Sequence, residues 1–329
     1  MKRLNRRDSI KAVTAAALGL AGFSGRLAAA DWIPDRPIRL VLPYTPGGAS
    51  DMLSRMIAER LSTRLGQPVV MEYKPGGGLV IGSEYVARQP PDGTTLYLTT
   101  TTFNLHPLLS KTSYDPVKDF THLALLADVP MVIAANPAKV GFRTPQEFLA
   151  WAKQNPGNAF YALPTRGGTG ELIGELINSR AGVKLQPVIY KGGAPMMVDV
   201  LAGQVPLSVE TLGTFRPYLE SRQMVLIAVA ARNRLPAYPQ VPTLSETVLP
   251  GFDISAWFAL QMPRGVPEPI VSRLNREVNE ILKEQAVINT FAQVGATVVG
   301  GSSQSATETI AARTALFGQI IKTANIKAQ

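Results

Sequence analysis

Two stretches of this chain have residue types suited to holding a small anion, and both are glycine loops that lead into helical patterns. The first is Pro43-Tyr44-Thr45-Pro46-Gly47-Gly48-Ala49-Ser50-Asp51, and the second is Pro164-Thr165-Arg166-Gly167-Gly168-Thr169-Gly170-Glu171. A helix start exposes backbone N–H groups that have no partner within the helix. With the positive end of the helix dipole, those donors suit an anionic or carbonyl ligand. The same glycines also serve a β–α turn that simply needs small residues, and the motif alone leaves both readings open. Arg166 adds a guanidinium fork that could grip a carboxylate in bidentate fashion. Alternatively it points to solvent, or pairs with Glu171 or Glu210.

Catalytic chemistry finds little to work with. His106 and His122 are the only histidines and there is no cysteine, so no cluster has metal-ligand spacing and no metal is expected. His106, between Leu105 and Pro107, reads as a helix-start or surface residue. No G-x-S-x-G elbow, P-loop or dinucleotide fingerprint is present, so neither an enzyme nor a cofactor is expected. Gly167-Gly168-Thr169-Gly170 misses the dinucleotide spacing, and no matching acid follows a second strand.

The elements that must carry these loops alternate strand and helix. Residues 38–42 form an apolar run, and 49–65 show helical periodicity through Leu53, Met56, Ile57, Leu61 and Leu65. Strands are expected at 69–72, 95–98, 160–162, 188–189, 205–209, 224–230 and 258–260. Helices are expected at 81–88, 170–180, 269–283 and 305–324. Thr144-Pro145-Gln146-Glu147 is a capping box with proline at the first helical position, opening a helix to Gln154. The alternation predicts an α/β protein with largely parallel sheets. The doubled apolar run 123–135, bent at Pro130, can leave one sheet and enter another; the proline-rich stretch 235–250 looks like the return. Two lobes with a cleft between them follow, a common setting for a small-molecule site. The boundaries predicted are 31–129 with 251–329 for lobe 1, and 130–250 for lobe 2.

Residues 1–30 read as a cleaved leader: a basic start (Lys2, Arg3, Arg6, Arg7, Lys11), an apolar stretch from Ala12 to Phe23, and Ala28-Ala29-Ala30 before Asp31. The segment Asn5-Arg6-Arg7-Asp8-Ser9 resembles the twin-arginine export motif, with Ser9 where phenylalanine is usual, so general secretory export is the alternative. The leader's six basic residues and one acid account for five of the nine net positive charges, leaving about +4 in the mature chain. Those remaining charges are dispersed among acids and give no nucleic-acid footprint. The absence of cysteine suits a chain exported already folded.

An ordered series of short motifs then resembles a known family. Pro-Tyr-x-Pro-Gly-Gly-x-x-Asp at 43–51 is followed by Pro90-Pro91-Asp92-Gly93, Tyr114-Asp115-Pro116, Asp119-Phe120, Tyr190-Lys191-Gly192-Gly193-Ala194-Pro195 and Leu201-Ala202-Gly203-Gln204-Val205. Val241-Pro242-Thr243, Leu249-Pro250-Gly251-Phe252, Trp257-Phe258 and Arg273-Leu274-Asn275 complete it. Together they look like the Bug family, the extracytoplasmic solute receptors of tripartite tricarboxylate transporters. The resemblance implies a type II periplasmic-binding fold, two lobes closing on a small organic acid, and periplasmic location. It further implies a monomer with transient contact to membrane permease subunits and no nucleic-acid partner. A ligand-presenting sensory partner of a two-component histidine kinase is the alternative. Carried over residue by residue, Tyr44, Thr45, Gly47, Gly48, Ala49 and Ser50 would clamp the ligand from lobe 1, with Asp51 capping the helix. Thr165, Arg166, Gly167, Gly168 and Thr169 would form the second clamp, with Lys191 and Glu210 beside them. Lys191 otherwise reads as a solvated lysine after a strand. Family members usually show a single Gly-x-Gly turn followed by Ser-His in the second loop, and an Asp-containing run where Val209-Glu210-Thr211 stands. Ligand identity is therefore not borrowed from any relative.

Overall fold

The protein is described from a computed structural model covering residues 32–46, 49–190 and 192–323. The leader, Asp31, Gly47, Gly48 and Lys191 lie outside the described residues, and of Ala49 only the backbone is described.

The first unit is β1 (Ile38–Leu42), α1 (Ala49–Leu65) and β2 (Val69–Tyr73), matching the apolar run and the helical periodicity. After a 3-10 turn at Gly77–Leu79 come α2 (Val80–Ala87), β3 (Thr95–Thr100) and α3 (Thr101–Leu109). Helix α3 is absent from the sequence expectation because Pro107 interrupts it. Its ring removes the N–H that Phe103 O would otherwise accept. Tyr114 fills the vacancy, its hydroxyl donating to Phe103 O at 3.2 Å.

The expected pair of runs at 123–135 is one strand, β4 (Phe120–Ala135), and it changes partners midway. From Phe120 to Pro130 it runs antiparallel to β9 (Ser255–Pro263). From Met131 to Ala135 it pairs instead with β7 (Leu207–Thr211) and β8 (Val225–Val229). Pro130, which has no N–H to give to a ladder, stands at the last pair before the switch. The return lies alongside: Ala230 N donates to Met131 O, and Ile254 N to Ala230 O, both at 2.9 Å. The chain therefore crosses twice between the same two sheet halves.

The second half holds α4 (Pro145–Gln154), β5 (Ala159–Leu163), α5 (Thr169–Ala181), β6 (Leu185–Ile189), α6 (Gly193–Ala202) and α7 (Leu212–Glu220), with a short α8 (Leu244–Thr247) on the return. The capping box forms as its spacing predicts, Thr144 Oγ1 accepting from Glu147 N. After β9 come α9 (Glu268–Leu282), α10 (Gln285–Gln293), β10 (Thr297–Val298) and α11 (Ser303–Thr323). Helix α9 presents Ile270, Leu274, Val278 and Ile281 to the core, as expected from its one-sided pattern.

The sheets are mixed, which corrects the largely parallel expectation. The pairs β1–β2, β1–β3, β5–β6 and β5–β7 are parallel; β3–β9, β4–β9, β4–β7 and β4–β8 are antiparallel. The physical reason is the crossing itself, because each strand that passes between the halves enters against the direction of the βα units. Helix α11 braces it: Phe317 stacks on the buried Trp257 at 5.6 Å, and Arg313 is ion-paired with Asp128.

Candidate functional site

In each half the parallel strands end at the same edge, and the loops leaving those ends carry the expected site residues. Tyr44 follows β1 and is half-buried against the aromatic cluster of Tyr97, Phe103, Tyr114 and Phe120. Its hydroxyl lies 2.5 Å from Thr100 Oγ1 at the end of β3. Burial pushes the Tyr44 phenol far above its ordinary range. Hydrogen bonds with the Thr100 and Thr102 hydroxyls pull the other way, and the negative charge of Glu210 adds to the rise.

The second loop leaves β5 and is tied down by its own half: Tyr190 N donates to Leu163 O and Gly192 N to Pro164 O, each at 2.9 Å. Gly167 has φ +69, and an added Cβ would lie 3.1 Å from His106 Nδ1. Both conditions call for glycine. The Gly167 N–H donates to Glu171 Oε2 at 2.6 Å, so the buried Glu171 is spent on its own loop. Gly168 precedes α5 without a side-chain cap, its Cβ position 3.6 Å from Thr102 Oγ1 in the other half. Thr169 is buried, whereas Thr165 and Arg166 are exposed. Among the described residues Arg166 pairs with neither Glu171 nor Glu210. Arg166 is exposed in the loop before α5.

Glu210 is the penultimate residue of β7, which ends at Thr211 directly before α7. Its Oε2 accepts from the hydroxyls of Thr211 and Thr214, each at 3.1 Å. Burial raises its carboxyl above the ordinary value, opposed by hydrogen bonds from the Thr211 backbone and the two hydroxyls. Ser50 sits half-buried in the first turn of α1, and Thr45 is exposed. Asp51 is buried; its Oδ1 accepts from Tyr73 Oη at 2.5 Å and its Oδ2 from Arg55 Nε at 3.2 Å.

Three residues beside this gap were not singled out as site residues from the sequence. His106 lies in the last turn of α3, not at a helix start, and is half-buried with Nδ1 enclosed and unpartnered. Burial lowers its pKa. Thr102 and Thr214 belong to helices interrupted by Pro107 and Pro217, which hid the periodicity.

A second concavity, lined by Glu59, Arg60, Thr63, Arg64 and Glu284, lies between α1 and the α9–α10 corner. Its arginines are already occupied: Arg60 Nε is 2.7 Å and Arg64 3.1 Å from Glu284. Among the described residues no group of side chains could hold a metal, and no helix is long and apolar enough to cross a membrane.

Two sheet halves joined by paired crossings, with loops from both meeting at one gap, define a two-lobed binding protein of the type II periplasmic class. A family profile described as tripartite tricarboxylate transporter family receptor matches residues 53–326, and the chain belongs to that family. It is 34% identical over 285 residues to Protein BugT of Bordetella pertussis, covering 86% of this chain and 87% of that one. Among solved structures it resembles R. palustris Rpa4515 with adipate, at TM-score 0.84 and 35% identity, over 90% of this chain and 99% of that one. It also resembles MatC (Rpa3494) from Rhodopseudomonas palustris with bound malate, at TM-score 0.80 and 29% identity, over 88% and 100%.

Proposed function

We propose that this receptor captures a small ligand bearing a carboxylate in the gap between its lobes and hands it to membrane permease subunits of a tripartite transporter. The lobes are 31–129 with 251–329, and 130–250. The first clamp is Tyr44, Thr45, Gly47, Gly48, Ala49 and Ser50; the second is 165–169, with Lys191 and Glu210 beside it. The observation that carries this reading is the close approach of loops from the two lobes: the Cβ positions of Gly167 and Gly168 lie 3.1 Å from His106 Nδ1 and 3.6 Å from Thr102 Oγ1, with Tyr44 held to Thr100 just before them. The helices opening on this gap start at Thr100, Gly168, Gly192 and Thr211 without side-chain caps. Their first N–H groups remain as donors for a ligand's oxygens. A ligand that touches both lobes only when they are shut shifts the open–closed equilibrium by its differential affinity.

The leader 1–30 directs the protein to the periplasm and is removed before Asp31, the paired arginines Arg6 and Arg7 favouring twin-arginine export. The family is described as one of receptors, and a solved structure that the chain resembles is that of the periplasmic binding protein BugD; a receptor role needs no turnover.

Native mass spectrometry of protein purified from its own host tests the reading. The expected result is a bound organic acid in stoichiometric amount, which raises the melting temperature when added back to stripped protein. A chain that carries no small molecule and gains no stability from any carboxylate would reject it.

A further inference from the structure

The carboxylate of Glu210 is only half committed. Both hydroxyl donors that reach it, from Thr211 and Thr214, go to Oε2. No side-chain donor among the described residues reaches Oε1 and none forms an ion pair with Glu210, the remaining hydrogen bond to the carboxylate coming from the Thr211 backbone. Two donors on one oxygen favour the ionised form of the acid. Across the gap, on the side that Gly168 faces through Thr102, the described residues Tyr44, Thr100 and Thr102 offer hydroxyls. The cleft therefore presents a negative group with a spare acceptor at the place where a guest would sit. The far carboxylate of a dianion brought there meets a like charge. An ammonium brought there makes a charge-assisted hydrogen bond with the spare oxygen.

We propose that Glu210 selects the ligand class, with Oε1 accepting the ammonium of an amino acid or aminocarboxylate while the ligand's own carboxylate takes the backbone donors at the uncapped starts of α5 and α6. This rests on the binding reading above and narrows it: the guest is zwitterionic, with one carboxylate beside an amino group, and is not a simple dicarboxylate. Arg166, exposed and without an ion pair among the described residues, stands in the loop that leads into α5.

The test uses the mature protein stripped of ligand, titrated by calorimetry near pH 7.5. The probes are the L-amino acids and straight-chain aminocarboxylates on one side, and malate, adipate and dicarboxylates of matched length on the other. The expected result is that at least one amino compound binds 30-fold or more tightly than the dicarboxylate of equal length. Replacing its amino group by hydrogen should cost tenfold or more, a readout that needs no variant protein. Glu210→Gln should lose tenfold or more for the amino compound and hold or gain affinity for the dicarboxylate. Tighter binding of dicarboxylates by the wild type overturns this inference and leaves the receptor reading standing. So does an affinity that stays within threefold when the amino group is removed. Failure of both classes to bind overturns both.

Discussion

The groove beside α1 and the gap between the lobes are both concave and both charged, yet they handle charge in opposite ways. In the groove Arg60 and Arg64 converge on Glu284 at 2.7 and 3.1 Å, and Arg64 also reaches Glu277 at 3.5 Å. In the gap Glu210 meets hydroxyls, and Arg166 meets solvent. Helix starts repeat the contrast. Thr144 and Thr243 cap α4 and α8 with their side chains, away from the gap, while four helices that open on it have no such cap. Where polar groups answer one another the surface is structural. Where donors and a carboxylate stand unanswered in a partly closed space, a guest can complete them.

The largest effect belongs to the packing that holds the gap in shape. A Cβ on Gly170 would lie 2.5 Å from Val209 O and 2.6 Å from Leu163 Cδ2, so α5 can sit against β7 only with glycine there. Gly170→Val should cost about 3 kcal/mol of stability by overpacking, measured by denaturant unfolding. Gly141→Ala, with nothing within 4 Å, should stay within about 0.5 kcal/mol. Equal losses at the two positions would remove the packing argument.

Next is the loop itself. At Gly168 an added Cβ meets Thr165 Cγ2 at 3.3 Å and faces Thr102 at 3.6 Å, without a positive φ. Gly168→Val should therefore fold but lose at least tenfold in ligand affinity, about 1.4 kcal/mol by calorimetry. Wild-type affinity in this variant would move the site elsewhere.

Arg166 should act more weakly, and on rates. An exposed charge at a rim steers encounter more than it holds a complex. Arg166→Ala should slow association severalfold at low salt, with the difference shrinking as salt rises, in stopped-flow measurements. A loss confined to the dissociation rate would mean that Arg166 grips the bound ligand.

The smallest effect is the sharpest test of the contrast, because the two regions carry opposite signs of pH dependence. The hydrogen bond from Arg60 chiefly holds Glu284 below its ordinary value, so its contribution is present at neutral pH and lost as pH falls through its folded pKa. Burial chiefly raises Glu210, so the folded state is favoured in acid and loses that advantage as pH rises through the folded pKa. Glu284→Gln should thus be less stable than wild type at pH 7, by under about 1 kcal/mol for a surface pair, with the gap closing below about pH 4. Glu210→Gln should be the more stable protein at pH 7, and that gain should vanish in acid. Thermal melts across pH would break the comparison if both variants moved in the same direction.

Much of the scaffold was legible before the structure. The run 38–42, the periodicity of 49–65 and the capping box at Thr144 each fix their element locally, so neighbouring residues suffice. The bend at Pro130 was legible for a similar reason, since a missing N–H is a local fact with a global consequence. What failed were elements whose local signals conflict. Pro107 and Pro217 lie inside α3 and α7, and Gly192-Gly193 reads as a turn although α6 begins there. The direction of β9 depends on β4 folding back across both halves, which no window of sequence contains. Within the proposed site, the glycine loops were named from their motifs and Glu210 from the family resemblance. Thr102, Thr214 and His106 were not, because their relevance comes from the opposite lobe or from an unrecognised helix.

Hydrogen–deuterium exchange with and without a saturating amount of the ligand found by native mass spectrometry tests the central claim most directly. The account predicts slowed exchange in peptides covering 43–50, 165–170, 192–194 and 210–214, with no change at 59–64 or 280–284. Protection concentrated in the Arg60–Glu284 groove, or absent from either lobe's loop, would contradict capture between the lobes.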